Sequence, residues 1–111
     1  MAIKRKADLS DAQLAEVARI FGTLSEPSRL KLLRALMLES LTVSELIEVT
    51  GMRQGNVSKH LSVLLNAGFV ERIPEGNFAR YALADPTVIN LCGLMCSRVE
   101  ERARKKLLAL R

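Results

Sequence analysis

Apolar residues in this chain recur at two different periods, and the change of period separates helices from a hairpin. Within 55–70, GNVSKHLSVLLNAGFV, the residues Val57, Leu61, Leu64 and Leu65 follow the i, i+4, i+7, i+8 spacing of one helix face. Gly55, Asn56, Lys59, Ser62 and Asn66 fall on the other face. A helix is expected from about Arg53 to Ala67, ended by Gly68, with an apolar back and a front of short polar groups and a cation. Just before it, the capping box T-V-S-E predicts a short helix over Val43–Thr50, closed by Gly51, with Met52 and Arg53 in the turn. Nearer the start, S-D-A-Q from Ser10 opens a helix striped by Leu14, Val17, Ala18 and Phe21, with Gly22 near its end. Ser25 is then expected to cap a second helix, with Pro27 in its first turn. Leu30, Leu33, Leu36 and Met37 stripe that helix and Leu32 and Leu38 lie alongside, so it should occupy the centre of the core, with Arg29, Lys31 and Arg34 on its wetter side.

From Phe69 the period becomes two. Residues 69–73 and 78–83 read as paired strands, and Pro74, Glu75, Gly76 and Asn77 supply the turn. Asp85 and Pro86 then provide an N-cap and a first helical residue for a long last helix towards Leu110. Repeats, low-complexity stretches and a second domain are absent from the pattern. The expected fold is mainly α with a small β-hairpin: a winged helix-turn-helix of four helices, two strands and a final helix. Residues 9–111 form the domain and 1–8 a short basic arm. In such an arrangement the second helix of the turn enters the major groove of DNA. Its apolar back docks on the two helices before it, and its front faces the duplex.

The bulk numbers agree with a nucleic-acid partner. At 111 residues there is room for one domain, small enough for pairing with a second copy to help its stability. Seventeen Lys and Arg against twelve Asp and Glu give a formal charge of +5, which suits a phosphate-rich ligand. Aromatics are 4% with no Trp, which argues against a stacking platform for single strands. No apolar run approaches the ~20 residues a bilayer requires. The basic opening MAIKRKADLSD has no apolar stretch after it, so a cytoplasmic protein with reduced cysteines is expected.

Gln54, Asn56, Ser58 and Lys59 are the candidate base and phosphate contacts. Gln and Asn can pair with adenine, and Lys can reach guanine or phosphate. Ser58 lies at the edge of the apolar stripe and equally fits helix packing, and Gln54 could merely satisfy the helix start. On the hairpin, Arg72, Gly76, Asn77 and Arg80 offer a wing that holds phosphates or enters the minor groove, with both arginines on one face if the register allows. The alternative is a solvated hairpin. Cys92 and Cys96 in NLCGLMCSR stand one turn apart on the last helix. Two thiolates so placed could grip a soft ion such as arsenite, copper(I) or cadmium, alone or jointly with a second copy, and could also be oxidised or carry sulfane sulfur. Against that, Val88, Cys92, Met95, Val99, Ala103, Leu107 and Leu110 form one seam for helix pairing, in which Cys92 fits as a small hydrophobe.

FGTLSEPSRLKLLRAL (21–36) and VSELIEVTGMRQGNVSKHLSVLLNAGFVERIPEGNFARYAL (43–83), together with the last helix, resemble the ArsR/SmtB-type transcriptional repressors. The resemblance runs over about residues 10–100 and is carried by L-x-x-P-x-R-L, V-S-x-H-L-x-x-L-x-x-A-G and G-x-x-x-x-Y. It implies a homodimer built on the first and last helices, and an operator, expected to be an imperfect inverted repeat, from which an inducer releases the protein. It also implies that His60, within V-S-x-H-L, belongs to the helix framework or meets a phosphate. Many relatives carry a Cys-x-Cys-containing third helix, but LTVSELIEV has no cysteine here. Others bind zinc, nickel or cobalt on the last helix, but here Asp85 is followed by Thr87 and no later His, so no such metal site is assigned and no cofactor is required. What remains for an inducer is the pair Cys92 and Cys96. The rival reading is a protein-interaction module on the same fold with degenerate DNA contacts. An enzyme is not expected, because no paired carboxylates, Ser/His/Asp order or glycine-rich phosphate loop is present.

Overall fold

The computed structural model describes residues 8–109. Apart from Asp8, the expected basic arm lies outside the described residues, as does Leu110 at the end of the seam.

Helix α1, Asp11–Leu24, opens on the expected box: Ser10 Oγ accepts from the Gln13 amide at 3.1 Å and Gln13 Oε1 accepts from the Ser10 amide at 2.9 Å. It continues through Gly22, and Ser25 is its C-cap. Ser25 therefore does not start the second helix. Helix α2, Pro27–Leu36, is capped by Glu26, whose carboxylate accepts from the Ser28 amide at 2.9 Å. That bond is the main reason the Glu26 carboxyl sits below its ordinary value. Glutamate is not among the favoured N-caps, so propensity pointed one residue too early.

Strand β1, Leu41–Thr42, leads into helix α3, Val43–Thr50, whose Thr42–Glu45 capping box forms in both directions. Gly51, at φ 71°, closes it in the left-handed region that glycine enters freely. Helix α4 is Gln54–Asn66; strands β2, Val70–Glu75, and β3, Phe78–Leu83, follow; helix α5 is Pro86–Ala109. Asp85 caps α5 as expected, accepting from the Thr87 and Val88 amides at 3.0 and 3.2 Å.

The β structure is larger than the expected hairpin. β1 pairs antiparallel with β3, giving a three-stranded sheet in the order β1-β3-β2. Two residues are too few to reveal a period, so β1 left no trace in the pattern. Glu75 pairs with Phe78, so the turn is only Gly76–Asn77, and Gly76 at φ 60° suits the first turn position of a tight hairpin. Pro74 lies inside β2, on the sheet edge, where its missing N–H breaks no ladder.

Leu32, Leu46, Val57, Leu61 and Leu64 are fully buried and bring α2, α3 and α4 into one core. Each such leucine contributes about 1.5–3 kcal/mol by leaving water. Leu33, Leu36, Leu41, Phe69, Val70, Val88 and Cys92 extend it to the sheet and the start of α5. The stripe on α2 is narrower than expected. Leu30 is part-exposed, and Leu38 lies beyond the helix end and is 91% exposed. Leu65 of α4 likewise sits at the rim of the core rather than in it. Outside this core, Leu14, Val17 and Phe21 of α1 are exposed, and so is every described residue of α5 from Ser97 onward. The molecule is flat, 61 × 47 × 20 Å. No described helix is long and apolar enough to cross a membrane.

Candidate nucleic-acid interface

α4 is fixed from behind and open in front. Val57, Leu61 and Leu64 bury its back in the core, as the period requires. His60 joins them at 6% exposure, and its Nδ1 accepts from Arg29 Nε at 3.2 Å. Arg29 also donates to the Thr23 carbonyl at 3.0 Å. This arginine is half-buried and ties the end of α1 and the start of α2 to α4, instead of lying on a wet face. Sequence reasoning missed that tie, although a histidine at the flank of the Val57–Leu64 arc already called for a buried partner.

On the front, Gln54, Gly55, Asn56, Ser58, Lys59, Ser62 and Asn66 are all exposed. Among the described residues, none of the side chains of Gln54, Asn56, Ser58 and Lys59 makes a hydrogen bond or ion pair within the chain. A Cβ added at Gly55 would meet nothing within 4 Å, so a ligand can approach the backbone closely there. Ser58 takes no part in the packed stripe.

The register separates the two wing arginines. Arg72 is opposite Tyr81 and Arg80 is opposite Ile73, so the alternation of β strands puts them on opposite faces of the sheet. Arg72 is exposed and lines a shallow depression with Thr42, Val43 and Ser44 at the start of α3. Asn77 is exposed at the wing tip. Arg80 is engaged elsewhere. Its Nε pairs with Glu75 at 2.5 Å, and Nη1 donates to Glu45 and to the Ser40 carbonyl, both at 3.1 Å. Glu75 and then Glu45 raise its pKa further, so it is a permanent cation already matched by two carboxylates.

The remaining candidates, Cys92 and Cys96, lie on α5 in a groove of about 700 Å³ between α1, α2 and α5. Both thiols are free. Cys92 is buried, and burial, followed by the nearby Cys96, pushes its thiol above the ordinary value. Among the described residues, no three His, Cys, Asp or Glu side chains are gathered as a metal-holding group.

The chain is similar in sequence and fold to known proteins. A model of the bacterial regulatory proteins of the arsR family matches residues 26–72. The transcriptional regulator NmtR of Mycobacterium tuberculosis is 39% identical over 85 residues, covering 77% of this chain and 71% of NmtR. The chain belongs to the arsR family. A Streptomyces lividans member, described as a probable mercury resistance operon repressor, is 40% identical over 74 residues, 67% of this chain and 59% of that protein. The chain thus spans about three-fifths of the length of that relative. Among solved structures, the homodimeric winged helix-turn-helix DNA-binding domain of Mb0332 from Mycobacterium bovis, a possible ArsR-family regulator, is similar at a TM-score of 0.76 and 30% identity. The likeness covers 89% of this chain and 94% of that domain, so the family fold extends to both terminal helices.

Proposed function

We propose that this protein is a homodimeric, sequence-specific DNA-binding repressor that an inducer releases from its operator. The observation that supports it most is the front of α4, whose polar side chains have no partner among the described residues while its back is locked in the core. Gln54, Asn56 and Ser58 read base edges in the major groove, and Lys59 meets a phosphate or a guanine. Arg72 and Asn77 of the wing hold the neighbouring backbone. Arg80 acts as the brace that keeps the wing at its angle, since its charge is spent on Glu75 and Glu45. Two copies related by a two-fold axis place two reading helices on an inverted repeat, with half-sites about one helical turn or a multiple apart. Cys92 and Cys96 receive the inducer, a soft, thiophilic ion; the mercury-linked Streptomyces relative fits that class.

Fluorescence anisotropy on duplex DNA from the region upstream of its own gene tests the reading. Affinity should fall steeply with salt, and Lys59→Ala should flatten the log–log slope by about one. Gln54→Ala and Asn56→Ala should each cost roughly 1–3 kcal/mol of discrimination against altered operators. Binding to no duplex at any salt concentration would sink the proposal.

A further inference from the structure

Four sulfur-bearing residues line a single groove. Cys92 and Cys96 lie one turn apart on α5, and Met95 stands beside them on the same helix. Met37 reaches across from the end of α2. A Cβ on Gly93 would stand 3.6 Å from the Met37 methyl carbon, so the tip of this side chain is set against α5 between the two cysteines in sequence. The lining is otherwise mostly apolar. Its one carboxylate, Glu100, is paired with Arg34 at 3.3 Å, and Arg34 also donates towards Met37 Sδ at 3.9 Å. No imidazole lines it.

We infer that this groove binds a monovalent soft cation, copper(I) or silver(I), with the Cys92 and Cys96 thiolates as the main donors and the Met95 and Met37 thioethers completing the shell. The inference rests on the reading that the cysteines take the inducer, and it narrows the class of ion. Thioethers are neutral, polarisable donors that favour copper(I). Nickel and cobalt prefer nitrogen or oxygen ligands, and the one carboxylate among the described lining residues, Glu100, is already paired with Arg34. Zinc accepts thiolates but takes four strong donors, and the groove offers two. Residues four apart on a helix have Cβ atoms roughly 5–6 Å apart, a span that one metal bridging two thiolates closes. One cation replaces two thiol protons, which pass to solvent, and the resulting bis-thiolate complex carries one negative charge. Arg34 is the cation at its side. Because Met37 caps the end of α2 and the thiols lie on α5, the bound ion fastens the last helix to the centre of the DNA-facing half.

The test uses the full chain with ¹³C-labelled methionine methyls, reduced and free of oxygen, titrated with silver(I). The methyl signals of Met37 and Met95 should move to an end point at one ion per chain, while that of Met52, which does not line the groove, stays still. Met37→Leu with Met95→Leu preserves side-chain volume and should weaken silver(I) and copper(I) at least about tenfold. Mercury(II), satisfied by two thiolates, should bind that variant as it binds the parent, and an unchanged helical dichroism and melting temperature verify its folding. Cys92→Ser with Cys96→Ser should lose both kinds of ion. Unmoved methyl signals, or unchanged silver(I) affinity in the leucine variant, overturn the thioether assignment while mercury(II) binding keeps the cysteine reading intact. Ion binding that survives removal of both cysteines overturns the two together. A duplex complex indifferent to silver(I), despite shifted methyl signals, leaves the ion site standing and removes the inducer reading.

Discussion

His60 is the only histidine of the chain, and it is buried on the side of α4 that the leucines occupy. A polar ring in that position is tolerated only with a partner, which Arg29 supplies at 3.2 Å. Replacing Arg29 by methionine keeps the stem and removes the donor. The expected cost is about 1–3 kcal/mol, read as a lower urea midpoint with an unchanged slope. Glu45 offers a second test at this scale. The Thr42 amide, more than Arg80, holds its carboxyl below the ordinary carboxylate value of 4.5. A carboxylate whose folded pKa is depressed stabilises the fold above its unfolded value, and that contribution disappears as the pH drops through the folded one. Amides at the start of α3 and along β3 should therefore lose exchange protection together below about pH 4.5, and Glu45→Gln should remove that acid step.

Among the elements, the wing depends on a turn of two residues. Gly76→Ala forces a side chain into a positive φ and should cost about 1 kcal/mol, seen as faster amide exchange confined to β2 and β3. Duplex affinity should fall with it, while the helical dichroism stays unchanged. What the sequence made legible at this scale was whatever is decided locally. The boxes at Ser10 and Thr42 and the cap at Asp85 lie within three or four residues of what they satisfy, and each formed as read. The back and front of α4 follow from one period, so the candidate reading residues could be named in advance. The features that escaped depend on distant pairing. β1 exists because β3, some forty residues later, lies beside it. The two wing arginines part company because of a register that no local pattern encodes. Arg80 meets a glutamate thirty-five residues away, and its role as a brace could not be seen until the chain was folded.

As a whole molecule, the subunit is flat and leaves much apolar surface uncovered. Phe21 is 54% exposed, Val99 64% and Leu107 66%, on the two terminal helices that the family likeness spans. Phe21 and Val99 border one groove, and large exposed apolar patches are rare on proteins that stay single. Val99→Asp should shift the sedimentation of the protein from two chains towards one and weaken duplex binding without altering α4. The melting temperature of the parent should climb with protein concentration, and that of the variant should not. The Arg80 brace has a further consequence at this scale. One guanidinium ties the wing strand, the loop before β1 and the cap of α3 together. On the proposed reading, a signal at α5 would therefore leave the wing fixed to α3 and be felt by the operator as a change in the spacing of two intact hands rather than in the grip of either.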